Sequence, residues 1–374
     1  MPSRFVINMN YEDALNFLTK KQSLGIQPGL ARISALLETM GNPQNDLKIV
    51  HIAGTNGKGT VAYTIADTLI DNGFKVGLFT SPYVLDYREQ IQLNGNFISE
   101  EDLAYYVEKY QYNDCTEFEM LTAIMYKYFA DKKVDYAVVE CGMGGANDST
   151  NVEKENLSVI TSIALDHTNF LGDTIEEIAL EKAGIIKENC TCVLYPNPEV
   201  EHIFEQVCKE KNAKLVKNDC DKSDSFFAKN HTTAAYALFE LGLKVNVTLS
   251  VPLGRQSYSK NGILFDGGHN VDAARALEWI LNNNVAVIGM MRDKNVDGYL
   301  SVVAPHCKKM IATTPTNPRS MPAAQLKEIA EKYCNDVIAI DSPVDAVRYG
   351  RENGLDLICG SFYLIRDVIK EFDE

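Results

Sequence analysis

A glycine-rich segment built around one lysine has the residue types and spacing that best suit chemistry. In order, its residues are Gly54, Thr55, Asn56, Gly57, Lys58, Gly59 and Thr60. The segment joins the apolar run IVHIA to a helical pattern over 60–72, so backbone N–H groups and a helix N-terminus converge at one point. Such a point suits a phosphate, because glycine lets the backbone approach closely. Lys58 then supplies a cation to the β- and γ-phosphates, and Thr60 contacts the phosphate or its Mg²⁺.

The spacing differs from the common phosphate-binding motif G-x-x-x-x-G-K-[ST]. Ile52 occupies the position of the first glycine of that motif, and Gly59 separates the lysine from the threonine. An alternative is a glycine-rich turn that only connects two elements. The strand pattern before the segment and the helix pattern after it favour the phosphate site over this alternative.

Polar residues also follow two other apolar runs. Glu140 comes directly after YAVV, and Asp166 and His167 end the run VITSIAL. The ligands of open α/β sheets collect at the carboxyl ends of strands, which makes both positions candidates for a binding site. By residue type alone, His167 favours a structural role, because histidine is an unusual ligand for Mg²⁺.

The elements that must position these residues alternate between β-type runs and helical patterns, which predicts βαβ units and a mostly parallel sheet. The first series is LKIVHIAG, a helix over 60–72, KVGLFTS, a helix over 100–111, the helical EFEMLTAIMYKYFA, VDYAVVECG, LSVITSIALD, a helix over about 174–184 and TCVLYP. The second series is GILFDGG, a helix over 271–282, VAVIGMM, KKMIATT, a helix over 322–332, DVIAID, a helix over 343–353 and LDLICGS.

The turn-rich stretch VPLGRQSYSKNG separates the two series. We therefore predict an α/β protein of two domains. Residues 1–249 form a mostly parallel sheet with the phosphate loop, and residues 250–374 form a smaller Rossmann-like α/β domain.

Composition limits the partners. The net charge of −15 argues against nucleic acid or an anionic membrane, so local lysines, arginines and helix ends must attract any anionic substrate. The N-terminal residues contain no apolar signal core, and no apolar run approaches the roughly 20 residues of a membrane helix, from which we expect a cytoplasmic protein. Nine cysteines without a C-x-x-C spacing argue against a disulfide framework and a zinc site.

The loop GTNGKGT followed by GLFTSP resembles the P-loop of the Mur ligase superfamily, in particular its folate branch of folylpolyglutamate and dihydrofolate synthases. Further segments resemble that family in the same order. They are GIQPGLARISALLETMGNPQ, SPYVLDYREQIQLNGNFISEEDL, FEMLTAIMYKYFA, VVECGMGGANDSTNV, SIALDHTNFLGDTIEEIALEKAGIIK, DGGHNVDAARAL, GMMRDKNVDGYL, TTPTNPRSMPAAQL and CGSFYL. The resemblance covers most of the chain except about 195–250.

The resemblance implies an ATP-dependent amide ligase. The γ-phosphoryl group of ATP passes to a substrate carboxylate, and the amine of glutamate then attacks the acyl phosphate. The implied cofactors are ATP and Mg²⁺, with two ions and a monovalent cation as a further candidate. The implied metal ligands are Ser81, Glu140, His167 and a carbamylated Lys182. Without the resemblance, Lys182 is a lysine on a solvated helix face paired with a nearby glutamate.

The same resemblance assigns further residues to substrates. Lys58, Lys182 and His269 are the implied catalytic residues, and Arg255 and Asp266 join the P-loop in binding ATP. The implied residues for the folate or dihydropteroate and for L-glutamate are Pro82, Tyr83, Glu119, Asp293, Lys294 and Arg319. The alternative structural roles are a polar position on an amphipathic helix for Glu119, a helix cap for Asp266 and a surface charge for Arg319.

Several positions depart from the family pattern. Thr233 stands where an adenine-contacting asparagine is expected, Ala146 replaces an arginine, and Tyr83 replaces a histidine. Val271 replaces a proline, and Gly268 replaces an alanine. The phosphate and metal groups are retained, which favours a divergent ligase.

We therefore expect a monomeric ligase that adds glutamate to a folate, with γ-linked extension of tetrahydrofolates as the favoured reaction. Formation of dihydrofolate from dihydropteroate stays open. One alternative is a related ligase for another carboxylate and amino acid. A second is a regulatory protein that binds ATP and forms no amide bond.

Overall fold

The strand that delivers the phosphate loop lies inside the first of two sheets. The computed structural model describes residues 9–25, 27–155, 157–221, 223–244 and 246–372. The chain divides into two units, the first ending at Ser250 and the second beginning at Val251.

The first unit is a three-layer α/β structure. Its strands are β1 (Ile49–Ala53), β2 (Val76–Phe79), β3 (Ile91–Leu93), β4 (Asn96–Phe97), β5 (Tyr136–Glu140), β6 (Leu157–Ile160), β7 (Thr191–Leu194) and β8 (Lys214–Lys217). Its α-helices are α1 (Tyr11–Lys20), α2 (Ala31–Thr39), α3 (Lys58–Asp71), α4 (Glu100–Lys109), α5 (Glu117–Lys132), α6 (Thr168–Leu171), α7 (Ile175–Ala183), α8 (Glu201–Glu210) and α9 (Phe226–Glu240). Short 3-10 helices occupy Lys21–Leu24, Pro43–Asp46 and Tyr87–Gln90.

The sheet order is β4-β3-β2-β5-β1-β6-β7-β8. Strands β2, β5, β1, β6, β7 and β8 run parallel, and β3 and β4 add an antiparallel edge. Every residue of β1 is buried, as expected for a parallel strand that is covered on both faces. The predicted mostly parallel sheet is confirmed.

Alternation along β1 shows which helices cover each face. Ile49 belongs to the core cluster that includes residues of α1, α2, α4 and α5, and Ala53 belongs to the cluster that includes residues of α7 and α8. Val50 and Ile52 point to the other face, where α3 and α9 pack together. His51 shares the face of Ile49 and Ala53.

The second unit is a smaller α/β structure. Its strands are β9 (Arg255–Tyr258), β10 (Leu264–Asp266), β11 (Asn284–Ile288), β12 (Cys307–Ala312), β13 (Val337–Ala339) and β14 (Leu357–Cys359). Its α-helices are α10 (Val271–Glu278), α11 (Val296–Val303), α12 (Ala323–Ala330), α13 (Pro343–Glu352) and α14 (Phe362–Val368), with 3-10 helices at Ala304–His306 and Ile369–Phe372. The sheet order is β13-β12-β11-β14-β10-β9, with only β9 antiparallel to its neighbour.

Three predictions from the sequence were wrong in detail. The turn-rich stretch over 251–262 contains β9, whose polar residues pair with β10 at the sheet edge. The helix over 271–282 ends at Glu278, because the chain turns at Asn283, where φ is 55°, to enter β11. Strand β6 ends at Ile160, so the apolar residues after it belong to a loop.

Two further expectations concern bulk properties. None of the nine cysteines forms a disulfide. Within the described part of the chain, no helix combines the length and the apolar character needed to cross a membrane.

Gly77 provides a test of the packing between β2 and α5. A Cβ at this position would lie 2.7 Å from three atoms of the Phe129 ring, which is rigid and buried. We expect Gly77→Ala to lower the free energy of unfolding by about 1–3 kcal/mol, measured by urea unfolding followed by circular dichroism.

Gly350→Ala is the matched control for this experiment. Its Cβ would meet Leu355 at an ordinary 3.4 Å inside α13. Alanine also favours a helix over glycine by up to about 1 kcal/mol, so stability should be kept or increased. Equal stability of Gly77→Ala and the parent protein would contradict the close contact.

Candidate active site

Two glycines in the loop after β1 leave no room for a side chain. Gly54 has a φ of 152°, and a Cβ there would lie 1.8 Å from Thr161 Oγ1. Gly57 is the N-cap of α3 with a φ of 86°, and its Cβ would lie 2.4 Å from Asn230 Oδ1. The N–H groups in the first turn of α3, which have no partner within the helix, therefore emerge beside bare backbone. This is the geometry of an anion site at a helix N-terminus.

Two lysines converge on one carbonyl oxygen of this loop. Lys58 Nζ donates to Gly54 O at 3.1 Å and to Thr55 O at 3.2 Å. Lys182 Nζ reaches the same Gly54 oxygen from α7, at 2.7 Å. Within the described ranges, neither ammonium group forms an ion pair with a carboxylate. The positive charge of Lys58 is therefore available to an anion held by the loop.

Lys182 is buried, with 3% of its surface exposed, which excludes the alternative of a lysine on a solvated helix face. Burial, together with the nearby charge of Lys58, lowers the pKa of Lys182 to about 7. A substantial fraction of this side chain is therefore the neutral amine near neutral pH.

The segment after β5 holds the end of α7 that carries Lys182. Ala146 N–H donates to Glu181 O at 2.8 Å. A Cβ at Gly145 would lie 2.8 Å from Lys182 Cα, and a Cβ at Gly184 would lie 2.4 Å from the Ala146 methyl carbon. This packing fixes the position of Lys182, and the small side chain of Ala146 fits it.

The candidate metal ligands Glu140 and Ser81 are brought together. Glu140 is the last residue of β5, and only 2% of it is exposed. Ser81 follows the neighbouring strand β2, and its N–H donates to Glu140 Oε2 at 3.2 Å. A carboxylate and a hydroxyl at the carboxyl edge of the sheet are oxygen ligands of the type that Mg²⁺ prefers.

His167 lies on the other side of β1 in the sheet order, beyond β6. It does not directly end a strand as the sequence predicted, because the strand stops at Ile160. His167 is the N-cap of α6 with a φ of 52°, and its N–H donates to Asp166 Oδ1 at 2.8 Å. The imidazole is 38% exposed, unlike a histidine that serves only the core.

The loop after Ser81 holds two of the candidate substrate residues. The Ser81–Pro82 peptide bond is cis. The ring of Tyr83 packs edge-on against that of Tyr87, with ring centroids 5.4 Å apart. Tyr83 therefore has a fixed aromatic neighbour within the loop.

The carboxylate of Glu119 is buried and paired within the protein. It accepts from Thr116 N–H at 2.8 Å to close the capping box of α5, and it forms an ion pair with Arg32 at 3.0 Å. The side chain of Arg32 is 28% exposed. Glu119 therefore holds the side chain of Arg32 in place. Arg32 was not identified as a candidate site residue from the sequence.

In the second unit, Asp266 and Arg255 lie on paired strands. Asp266 ends β10, and its carboxylate accepts from Gly268 N–H at 2.8 Å. Burial raises the pKa of Asp266 to about 6. The helix cap that the sequence offered as an alternative role belongs to Asn270, which caps α10, and His269 directly precedes that cap.

The other candidates of this unit lie near its surface. Arg319 Nη1 donates to Asp293 Oδ2 at 3.3 Å, and both side chains are exposed. The guanidinium group also lies over the ring of Tyr363, 6.0 Å from its centroid. Lys294 follows Asp293 in the chain. Two of the three residues are therefore brought together as an ion pair.

The sequence missed Asn230. Thr233, which stands at the expected adenine contact, is fully buried, and its hydroxyl donates to Lys229 O and accepts from Asn218 Nδ2. Asn230 lies three residues earlier on the same side of α9, and its amide contacts Gly57. The spacing of three residues between Asn230 and Thr233 on a predicted helix could have identified Asn230 from the sequence.

A parallel sheet with a glycine loop at a strand end, followed by a second α/β unit, defines a class of two-domain nucleotide-binding proteins. Residues 52–253 match the Mur ligase middle domain, and residues 255–362 match the Mur ligase glutamate ligase domain. The chain belongs to the Mur ligase family, in the branch of dihydrofolate and folylpolyglutamate synthases.

Relatives within this branch match over long stretches. Dihydrofolate synthase/folylpolyglutamate synthase of Bacillus subtilis is 35% identical over 74% of this chain and 65% of its own length. Dihydrofolate synthetase of Saccharomyces cerevisiae is 29% identical over 93% of this chain and 98% of its own length.

Solved structures of the branch have the same fold. The structure of Escherichia coli FolC in complex with DHPP and ADP is similar with a TM-score of 0.89, 27% identity and 98% coverage of both chains. A bifunctional folylpolyglutamate synthase/dihydrofolate synthase with Mn, AMPPNP and L-glutamate bound has a TM-score of 0.85 and 26% identity, over 96% of this chain and 97% of that one.

Lys58 provides a test of the anion site. A charged hydrogen bond to a phosphate contributes about 1.5–3 kcal/mol, so Lys58→Met should weaken ADP binding by roughly 10- to 150-fold, measured by calorimetry.

Lys48→Met is the control, because Lys48 is an exposed lysine just before β1 and should bind ADP like the parent. Unchanged affinity in Lys58→Met would show that the loop lysine does not contact phosphate.

Proposed function

We propose that this protein is an ATP-dependent amide ligase that joins the amine of L-glutamate to a carboxylate of a folate. The observation that carries the proposal is the convergence of Lys58 and Lys182 on the Gly54 carbonyl, beside a loop kept bare by glycine. The relatives support the reaction class, since they are named dihydrofolate and folylpolyglutamate synthases. Solved relatives contain DHPP, ADP, AMPPNP, Mn and L-glutamate.

The reaction has two steps. A carboxylate oxygen of the folate attacks the γ-phosphorus of ATP, the bond from that phosphorus to the bridging oxygen breaks, and ADP leaves. The amine of glutamate then attacks the acyl carbon, so that an amide forms while phosphate leaves and the amine loses a proton. The protein performs little covalent chemistry and acts by positioning and charge stabilisation.

Residues of the first unit fit the phosphate chain. The N–H groups at the start of α3 and the ammonium group of Lys58 bind the β- and γ-phosphates, and Thr60 lies in the same first turn. Asn230 beside Gly57 is placed to contact the nucleotide that the loop holds. In the second unit we assign Arg255, Asp266 and His269 to ATP or to the acyl group.

A divalent metal ion at this site would supply positive charge that stabilises the phosphoryl group during transfer. The buried carboxylate of Glu140 beside Ser81 suits such an ion, and we assign both residues and His167 to it. A second ion held by carbamylated Lys182, and a monovalent cation, complete the proposed set.

Lys182 is suited to carbamylation. Its neutral amine adds to CO₂ to form an N–C bond, and a proton is released, which leaves a carboxylate on the side chain. Burial at the Gly54 carbonyl favours the neutral amine, and the new carboxylate contributes an oxygen ligand where the loop binds phosphate.

The remaining assignments concern the other substrates. We assign Pro82, Tyr83 and Arg32, with Glu119 as its support, to the folate or dihydropteroate. We assign the second-unit residues Asp293, Lys294 and Arg319 to substrate as well. The proposed form of the protein is a monomer.

A mass-based assay tests the reaction. With Mg²⁺, ATP and glutamate, we expect tetrahydrofolate or dihydropteroate to gain one glutamyl unit for each phosphate released. A gain only on dihydropteroate would assign the protein to dihydrofolate synthesis, and a gain on both would make it bifunctional. Lys58→Met serves as the inactive control.

Two other outcomes would overturn the folate assignment. Glutamate-independent binding of ATP without amide formation would favour a regulatory protein. Amide formation with another carboxylate, but with no pterin, would favour a ligase of different substrate class.

Lys182 provides a second test. Lys182→Ala should lose at least about 100-fold in kcat, because the group that stabilises charge at the phosphoryl is removed. Added formate or acetate should restore part of the rate by supplying a carboxylate. In the parent protein, ¹³C-labelled bicarbonate should give a carbamate NMR signal that the variant lacks.

Lys211→Ala is the matched control, since Lys211 is a partly buried lysine whose amine also donates to a backbone carbonyl, that of Ile186. It should keep its rate and the NMR signal. Full activity of Lys182→Ala would remove the residue from the mechanism.

A further inference from the structure

A fully buried imidazole lies three residues before Gly54, the first residue of the phosphate loop. His51 is at the centre of β1 and has no exposed surface. Its Nδ1 lies 2.7 Å from Glu153 Oε1, and its Nε2 lies 2.8 Å from Thr150 Oγ1 and 3.1 Å from Cys141 Sγ. Both ring nitrogens therefore have polar partners inside the core, and none of these residues belongs to the site described above.

The partners of His51 come from separate segments that lead to the active site. Cys141 directly follows Glu140, so the thiol marks the end of the strand that carries the candidate metal carboxylate. Thr150 and Glu153 lie in the turn before β6. The imidazole thus joins β1, the end of β5 and this turn at one point.

Glu153 extends the connection to α7. Lys187 Nζ lies 3.6 Å from Glu153 Oε1 and 2.7 Å from Asn151 Oδ1. Lys187 follows the helix that carries Lys182. Side-chain contacts therefore connect four segments, namely β1, the end of β5, the turn before β6 and the segment after α7.

The imidazole of His51 and the carboxylate of Glu153 each favour the charged form of the other. Burial alone would lower the pKa of His51, but Cys141 and Glu153 outweigh it and raise that pKa well above its ordinary value. Burial would raise the pKa of Glu153, but His51 lowers it below its ordinary value. The imidazolium and the carboxylate therefore form an ion pair in the core.

Stability alone is a weak explanation for such a pair. Removing two charges from water is unfavourable, and apolar side chains of similar volume often serve a core at least as well. A fully partnered polar network does, however, specify one arrangement of the segments that it connects. The segments connected here carry Gly54, Glu140 and Lys182.

We propose that His51, with Glu153, is a positioning residue that fixes the spacing between the phosphate loop, the metal carboxylate of Glu140 and the helix that carries Lys182. This inference rests on the proposed ligase function for its catalytic consequence. A misplacement of about 1 Å at reacting groups lowers rates by roughly 100-fold, so small movements of these segments matter.

The test compares His51→Gln and Glu153→Gln with the parent protein. Each variant keeps a hydrogen-bonding side chain and removes the ion pair. Calorimetry measures ADP affinity with and without Mg²⁺, and steady-state kinetics measure kcat and KM for ATP. Circular dichroism checks that each variant is folded.

The matched control is Tyr126→Phe. The Tyr126 hydroxyl is buried and donates to Thr150 O at 2.6 Å, so its removal loosens the same turn without touching the imidazole. A general loss of stability should therefore affect this variant as well.

We expect both glutamine variants to bind ADP without metal ion within about threefold of the parent, and to lose most of the tightening that Mg²⁺ gives. Their kcat should fall by about 10- to 100-fold with little change in KM for ATP, whereas Tyr126→Phe should keep both properties.

Retained Mg²⁺ tightening and kcat in the folded glutamine variants would overturn the proposal, as would an equal loss in Tyr126→Phe. If His51→Gln does not fold, Glu153→Gln decides by the same criteria. Absence of glutamate-dependent ADP formation in the parent would overturn the ligase function only, because the Mg²⁺ effect on ADP binding tests the positioning role separately.

Discussion

Two lysine amines donate to a single backbone oxygen, that of Gly54, and this contact organises the site in the first unit. Like charges near one point repel, and burial of Lys182 adds the loss of its hydration. Both effects favour the neutral amine of Lys182. Lys58 therefore supplies the positive charge that the loop presents to a phosphate, and Lys182 supplies an amine that can react.

The contact depends on how the sheet is built. Strand β1 lies between β5 and β6, so the loop that follows it has Glu140 on one side and the segment of His167 on the other. The glycines at 54, 145 and 184 let backbone segments approach where a Cβ would overlap its neighbours. Close packing thus sets the position of Lys182 more narrowly than the helix alone would.

A polar network inside the core connects the segments that carry Gly54, Glu140 and Lys182. His51 and its partners join the strand before the loop, the end of β5 and the turn before β6, and Lys187 adds the end of α7. Directional contacts suit this role because they have one satisfied geometry, whereas apolar contacts tolerate sliding. The site at the carboxyl edge of the sheet and the polar pair in its core therefore involve the same segments of the chain.

The sequence by itself determined the phosphate loop, the alternation of strands and helices, and Glu140 at a strand end, because these depend on residue types at short spacing. It misjudged the end of β6, since apolar residues in a loop resemble a continued strand. It left open whether Lys182 is solvated and whether Glu119 touches substrate, and it missed Asn230 and His51. Only the tertiary structure decided these, because burial, ion pairing and pKa depend on segments about a hundred or more residues apart that meet when the sheet forms.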